Sequence, residues 1–446
     1  MTTIAPEDLV DRIWARDPTV WTGGDEASWL GWLDEPARIQ ERLEDLDLPA
    51  CEECVLLGMG GSSLAPEVMR RTFGAAAFRV LDTTHPAAVR RLEAELDLER
   101  TLFLVSSKSG STLETRSHAD YFFDRVGGRG EQFVAITDPG SELEQEAKRR
   151  GFSLVVHGEP TVGGRYSALS PFGTVPAIAM GIDLERLGRA AEEMAEACRA
   201  PESPGLDLGL ALGEGWREGR DKIVTSPNPG GFGLWVEQLL AESTGKEGKG
   251  LVPAPEDPSR RSDVQLHEVR IGAPHELGGE FFRWEFATAV AGSILGINPF
   301  DQPNVQEAKD RTNAILDQGG DVELAPEGSL DELLAAAAEG NYIAILAFVD
   351  PAEEDRLEPL VARARETGCV VTKGIGPRYL HSTGQLHKGG PNSGLFIQVV
   401  DDLGDDLSIP GRPFGFRQLI RAQAAGDYAA LKERGRRVVR VRLEDV

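Results

Sequence analysis

From residue 50 onward, short apolar runs alternate with longer amphipathic ones. Cys54–Met59 is followed by Leu64–Phe73, Arg79–Leu81 by Pro86–Leu96, Thr101–Ser106 by Thr112–Val126, and Gln132–Thr137 by Ser141–Arg150. Short apolar strands separated by helices of this length predict a parallel sheet covered on both faces. In such a sheet, ligands sit beyond the carboxyl ends of the strands, so the loops after these strands are where chemistry is expected.

The rest of the chain repeats the pattern less regularly. Residues 1–48 read as a helical arm in which Trp14, Trp21, Trp29 and Trp32 alternate with acids, and an arm of this kind needs a surface to pack on. Helices dominate residues 170–214. A second alternation then starts at Lys222–Ser226, with helices over Phe232–Ser243, Glu280–Leu295, Val305–Leu316, Ala352–Thr367 and Arg417–Arg434. Its strands are expected at Asp263–Ile271, Tyr342–Phe348, Cys369–Thr372, Gly394–Val400 and Arg437–Leu443. At 446 residues the chain exceeds one ordinary domain of about 100–200 residues. The division this predicts is an arm over 1–48, a first α/β domain over 49–205, and a second over 206–446 that includes a C-terminal extension.

Charge narrows the function classes. The net charge of −26 argues against binding nucleic acid or an anionic membrane, both of which need a basic face. The acidic excess reads as a solvated surface or an adaptation to salt. Four cysteines are too few for a disulfide framework, and Cys51-Glu-Glu-Cys54 lacks the second ligand pair of a zinc site, so no metal is expected. The segment MTTIAPEDLVDRIW has neither the basic start nor the apolar stretch of a signal peptide, and no run approaches the length of a membrane helix, so a cytoplasmic location is expected.

Two loops carry candidate chemistry. Val55-Leu-Leu-Gly-Met-Gly-Gly-Ser-Ser-Leu-Ala-Pro66 is a glycine turn between a strand and a helix, which fits either a phosphate site or a tight turn. It completes neither the dinucleotide fingerprint nor the Walker loop. The second loop, SSKSGSTLET at 106–115, follows the apolar strand Thr101–Val105. Its hydroxyls, Lys108 and the helix start after Thr112 suit a dianionic phosphate monoester. A capping box over Ser-Thr-Leu-Glu would use one or two of the hydroxyls and leave the lysine unexplained.

These loops, together with further motifs in order, resemble the phosphoglucose isomerase family and its sugar isomerase domains. Val162-Gly-Gly-Arg-Tyr-Ser-Ala-Leu-Ser170 is similar to the GGR[FY]S signature, and Glu242-Ser-Thr-Gly-Lys246 to ESNGK with threonine for asparagine. Phe300-Asp-Gln-Pro-Asn-Val-Gln-Glu-Ala-Lys309 is similar to FDQxGVExxK, departing at Asn304 and Gln306. The stretch His381-Ser-Thr-Gly-Gln-Leu-His-Lys-Gly-Gly390 resembles the isomerase half of bifunctional transaldolase/phosphoglucose isomerases, although the chain is too short to hold a transaldolase barrel as well.

The resemblance implies two sugar isomerase-type three-layer α/β domains plus the helical arm. The implied activity is interconversion of glucose 6-phosphate and fructose 6-phosphate through a cis-enediol, with no cofactor. A phosphosugar isomerase that also accepts mannose 6-phosphate and a non-catalytic phosphosugar-binding module are the alternatives. A homodimer is implied as well, in keeping with a tryptophan-bearing arm that needs a surface. By carry-over, Glu242 is the carbon base, Arg165 stabilises the enediolate, and Lys309 acts during ring opening. The phosphate is expected on Ser107, Lys108, Ser109, Thr112, Gly61 and Ser62, with Glu114 on the sugar side. In the family, the ring-opening histidine comes from the neighbouring subunit and precedes the lysine motif. Here that interval holds only His267 and His275, so His387 is preferred for its glycine-rich setting, ahead of His381 and His267. His85 and His118 read as structural.

Overall fold

A computed structural model of the chain describes residues 6–43, 46–255, 257–303, 305–317, 319 and 322–446, without the side chains of residues 6, 7, 40, 43 and 305–310. The first alternation forms a five-stranded parallel sheet of β1 (Glu53–Gly58), β2 (Phe78–Leu81), β3 (Thr101–Ser106), β4 (Phe133–Thr137) and β5 (Leu154–His157), in the order β2-β1-β3-β4-β5. The apolar runs are buried on both faces, as parallel strands require. Val55, Leu57, Phe103 and Val105 join one core cluster, and Cys54, Leu56, Leu102 and Leu104 join the cluster on the opposite face. Because β2 and β3 flank β1 on opposite sides, the loops after β1 and β3 open onto one crevice. These are the glycine loop and the hydroxyl loop.

The second half is divided between two parallel sheets. β6 (Lys222–Thr225), β7 (Val252–Pro253) and β8 (Val264–His267) lie in the order β7-β6-β8. β9 (Tyr342–Phe348), β10 (Val370–Ile375), β11 (Gly394–Val400) and β12 (Arg437–Arg442) lie in the order β10-β9-β11-β12. The strand expected over Asp263–Ile271 stops at His267, because the chain then leaves the ladder and the Arg270 N–H donates to Glu280 Oε1 at 3.1 Å. β5, a half-exposed edge strand of four residues, was not anticipated.

The helix Leu277–Leu295 is the centre of the molecule. It is apolar around most of its circumference, and it packs on the helices Leu184–Ala197 and Pro204–Arg217 and on the N-terminal arm. Trp14 stacks on Phe282 and Phe286, the Trp21 indole donates to the Ala289 carbonyl at 2.8 Å, and Trp32 lies fully buried against Tyr166 and Phe282. The surface that the arm needs is therefore supplied by its own chain, and its tryptophans no longer argue for a dimer.

Glu285, on this central helix, is fully buried. Neither of its carboxylate oxygens has a hydrogen-bond partner among the described residues, and burial pushes its pKa far above the ordinary carboxylate value, with Glu35 adding to the rise. The folded chain keeps this proton at pH values where the unfolded chain has lost it. Over that window each pH unit costs about 1.4 kcal/mol of stability, and the loss begins above the unfolded carboxylate value. The expected outcome for Glu285→Met is a higher melting temperature, with a gain that widens in thermal unfolding as pH rises above the ordinary carboxylate range. A gain independent of pH would show that the carboxyl proton plays no part.

Candidate active site

One end of the crevice gathers hydroxyls and the start of a helix. Thr112 is the N-cap of the helix Leu113–Arg125, yet its hydroxyl makes no capping bond, so the first N–H groups of that helix are left for another acceptor. Ser107 Oγ donates to Thr112 Oγ1 at 3.1 Å, and the hydroxyls of Ser109 and Ser111 lie 3.0 Å apart on the exposed rim. Gly110 turns the loop with φ +70°, where a Cβ would also strike Leu143. In the glycine loop, a Cβ on Gly61 would run into the Gly164 carbonyl, and Ser167 Oγ donates to the Gly61 carbonyl at 3.2 Å. This close approach sets Gly61 and Ser62 beside the turn that carries Arg165.

Lys108 departs from expectation. Its ammonium is bound to Asp138 Oδ2 at 2.5 Å and to the Glu159 carbonyl at 3.1 Å, which ties the loop after β3 to the loop after β4. The side chain is spent on that tie rather than turned toward the hydroxyl cluster. What this end of the crevice offers an anion is thus the hydroxyls and the helix N–H groups.

The other end centres on Glu242, in the last turn of the buried helix Gly233–Thr244. Its Oε2 lies 3.7 Å from Arg165 Nη1 and 3.5 Å from Gln302 Nε2. Burial raises its pKa to about 7 against the opposing pull of Arg165, Gln238, His381 and Lys246. Arg165 is fully buried. Its Nε donates to Ser243 Oγ at 2.8 Å and its Nη2 to the carbonyls of Pro299 and Asp301 at 2.6 and 3.0 Å, while Nη1 has no hydrogen-bond partner among the described residues. Lys246 holds the same 298–301 loop through the carbonyls of Asn298 and Asp301 and the Asp301 carboxylate, and burial, with Arg165 nearby, lowers its pKa to about 8. This loop delivers Gln302 to Glu242. Lys309 follows in the helix Val305–Asp317, and its side chain lies outside the described residues.

The histidines separate cleanly. His387 is buried among Tyr342, Tyr379 and Phe396, its Nδ1 has no partner among the described residues, and burial, with Lys388 and Arg436 near, holds its pKa well below the ordinary value. Its glycine-rich sequence setting belongs to a short internal helix, Gly384–Gly389, rather than to a site loop, so the preference for His387 is corrected. His267 Nε2 lies 3.0 Å from Gln265 Oε1 on the short sheet, and burial lowers its pKa to about 4. His381 is the histidine the crevice contains. Its Nε2 lies 2.9 Å from Glu114 Oε1, and its carbonyl accepts from Gln238 Nε2 at 2.9 Å. His85 caps the helix Pro86–Glu95 and meets Asp401, while His118 is bonded to the Thr83 carbonyl.

Gln238 and Gln423 were missed at the level of sequence. Gln238 stands one helical turn before Glu242, on the same face, a spacing the sequence does display. Gln423 Nε2 donates to Glu114 Oε1 at 2.6 Å from a helix 309 residues away, which no local pattern reveals. Among the described residues, no group of three or more metal-ligating side chains is gathered, and no helix is long and apolar enough to cross a membrane.

Residues 48–216 match the phosphoglucose isomerase family model. That segment contains both anion-site loops and Arg165. Among phosphoglucose isomerase relatives, the glucose-6-phosphate isomerase of Thermosynechococcus vestitus is 33% identical over 266 residues, 54% of this chain and 50% of that protein. The glucose-6-phosphate isomerase of Thermus thermophilus is 36% identical over 202 residues, 42% of this chain and 48% of that protein. This chain therefore spans about half the length of these relatives. A probable glucose-6-phosphate isomerase of Natronomonas pharaonis is 28% identical over 366 residues, 65% of this chain and 84% of that protein. The crystal structure of a glucose-6-phosphate isomerase from Chlamydia trachomatis shares the fold, with a TM-score of 0.53 at 19% identity over 70% of this chain and 78% of that one.

The electrostatics of Glu242 can be tested without assuming a reaction. Carbon-13 NMR titration of glutamate-labelled protein is expected to show one carboxyl with a midpoint at about 7. Arg165→Met removes the largest opposing charge and moves that midpoint upward. An unshifted midpoint in a folded variant would show that the guanidinium does not act on the carboxylate.

Proposed function

We propose that this chain catalyses the reversible isomerisation of glucose 6-phosphate and fructose 6-phosphate. The observation that carries the reading is Glu242: a buried carboxylate with a pKa of about 7, facing at 3.7 Å a guanidinium nitrogen that makes no hydrogen bond among the described residues. A base poised near neutrality can take a proton from carbon and return it. An ionised donor beside it favours the negative charge that develops on the neighbouring oxygen.

In this mechanism, the phosphate monoester rests on Ser107, Ser109, Thr112 and the start of the helix Leu113–Arg125, with Gly61 and Ser62 alongside. His381, paired with Glu114, relays the proton that opens the ring, and Lys309 acts at the ring oxygen, as its motif implies. Glu242 removes the proton from C2 of the open aldose, and the electron pair passes through a cis-enediol whose oxygen faces Arg165 Nη1. O1 is protonated as the enediol forms and O2 gives up its proton as Glu242 returns the carbon proton to C1, which completes the ketose, and the reverse reaction starts at C1. Every proton taken up by a side chain is given back, so no redox partner is consumed.

The deciding experiment is conversion of fructose 6-phosphate to glucose 6-phosphate in a dehydrogenase-coupled assay. The native chain is expected to be active, and Glu242→Gln is expected to lose about 10³-fold or more in kcat while staying folded. An active Glu242→Gln would move the base elsewhere, and a native chain that binds sugar phosphates without turnover would leave a binding module. Thr112→Val is expected to raise KM about 10-fold or more with a smaller change in kcat, since it removes a hydrogen bond to a charged group.

A further inference from the structure

A second carboxylate belongs to the loop that Arg165 holds. Arg165 Nη2 donates to the Asp301 carbonyl at 3.0 Å, while its Nη1 stands 3.7 Å from Glu242 Oε2 with no hydrogen bond among the described residues. The side chain on that same carbonyl-bearing residue is a partly exposed carboxylate, and its one ion pair among the described residues is with Lys246, Nζ to Oδ1 at 2.5 Å.

Lys246 is buried, and its three donors meet three acceptors: the Asn298 carbonyl at 2.8 Å, the Asp301 carbonyl at 2.7 Å and the Asp301 carboxylate. The chain reverses directly after the helix that carries Glu242, with Glu247 at φ +56°, a left-handed conformation that a residue with a side chain rarely adopts. A second cation buried beside a guanidinium is costly, and burial and Arg165 both work against its ionisation. Fastening the loop does not require it. Arg165 already holds the carbonyls of Pro299 and Asp301, and Asp25 accepts from Asn298 Nδ2 at 2.9 Å. What Lys246 alone supplies is a positive charge for the Asp301 carboxylate.

We infer that Lys246 is a positioning residue that neutralises Asp301 and so keeps the Nη1 of Arg165 on Glu242 and on the oxygen that becomes negative in the reaction. The inference rests on the isomerase reading above and adds to it a group that acts through Arg165 rather than on the substrate. With the lysine charge removed, one guanidinium stands between two carboxylates. Asp301, whose carbonyl is already bonded to that guanidinium, then draws it away from the base, and the developing negative charge loses its donor.

The test is a rescue. Lys246→Met is expected to lower kcat about 10-fold or more with a smaller change in KM, and addition of Asp301→Asn to it is expected to bring kcat back to within about threefold of Asp301→Asn alone, because the rival carboxylate is gone. A double variant no better than Lys246→Met would overturn the inference and reduce the lysine to a fastening of the loop. Should Lys246→Met fail to fold, Lys246→Gln, which keeps two donors for the carbonyls and loses the charge, carries the same comparison. The carbon-13 midpoint of Glu242 reads the same event without turnover. It is expected to rise in the lysine variant toward its value in Arg165→Met and to fall back toward the native value in the double variant. A midpoint that does not move in the lysine variant, or that stays high in the double variant, would also overturn the inference. A native chain without turnover would overturn the isomerase reading alone, and the midpoints would still decide whether Lys246 keeps Arg165 on Glu242.

Discussion

Glu242 and Arg165 are both out of water, and neither would be stable there alone. An unpaired buried charge costs several kcal/mol, so the carboxylate and the guanidinium have to be held together, with the remaining donors of the arginine spent on protein acceptors. Those acceptors are Ser243, on the helix of Glu242 itself, and the carbonyls of Pro299 and Asp301. Satisfying Arg165 therefore fixes three separate segments against one another: the turn after Gly163, the end of the helix Gly233–Thr244, and the 298–301 loop. Lys246 doubles the last of these attachments. What remains is one nitrogen of Arg165 turned to the carboxylate at a distance too long for a hydrogen bond, and a carboxylate whose burial and surrounding cations balance near neutrality.

Local chemistry was legible in the sequence wherever the local chain determines it. The strands Thr101–Ser106, Tyr342–Phe348 and Gly394–Val400 follow from unbroken apolar runs, and the crevice between the glycine and hydroxyl loops follows from their placement after two such strands. Glu242 and Arg165 could be named from the motifs around them. What the sequence concealed is what tertiary pairing decides. Lys108 looks like a phosphate ligand until Asp138, thirty positions away, takes its charge. His387 has glycines on both sides and still folds inward, because Tyr342, Tyr379 and Phe396 form an apolar pocket around it. His381, six residues earlier, ranked lower because the glycine-rich setting favoured His387, and its partner Glu114 is 267 positions distant.

The two ends of the crevice are chemically different surfaces. The rim presents hydroxyls and helix N–H groups that, on the proposed reading, would hold a dianion without a cation buried beside it. The deeper end is dry and carries the ionised groups. Such a division lets binding be strong at the phosphate while the balance that sets the basicity of Glu242 is left undisturbed.

The N-terminal arm reaches the same loop from outside. Asn298 Nδ2 donates to Asp25 Oδ1 at 2.9 Å across 273 residues of chain, while Trp21 lies edge-on against Phe300 and bonds to the central helix. These contacts cannot form until the helix Leu277–Leu295 and the loop after it exist and have found their place. Sequence separations of this size slow folding, because loop closure is unfavourable until the distant contact is made. The loop that brings Gln302 to Glu242 is thereby clamped between the arm outside and Arg165 and Lys246 inside, so a contact 273 residues away along the chain bears on the surroundings of the carboxylate.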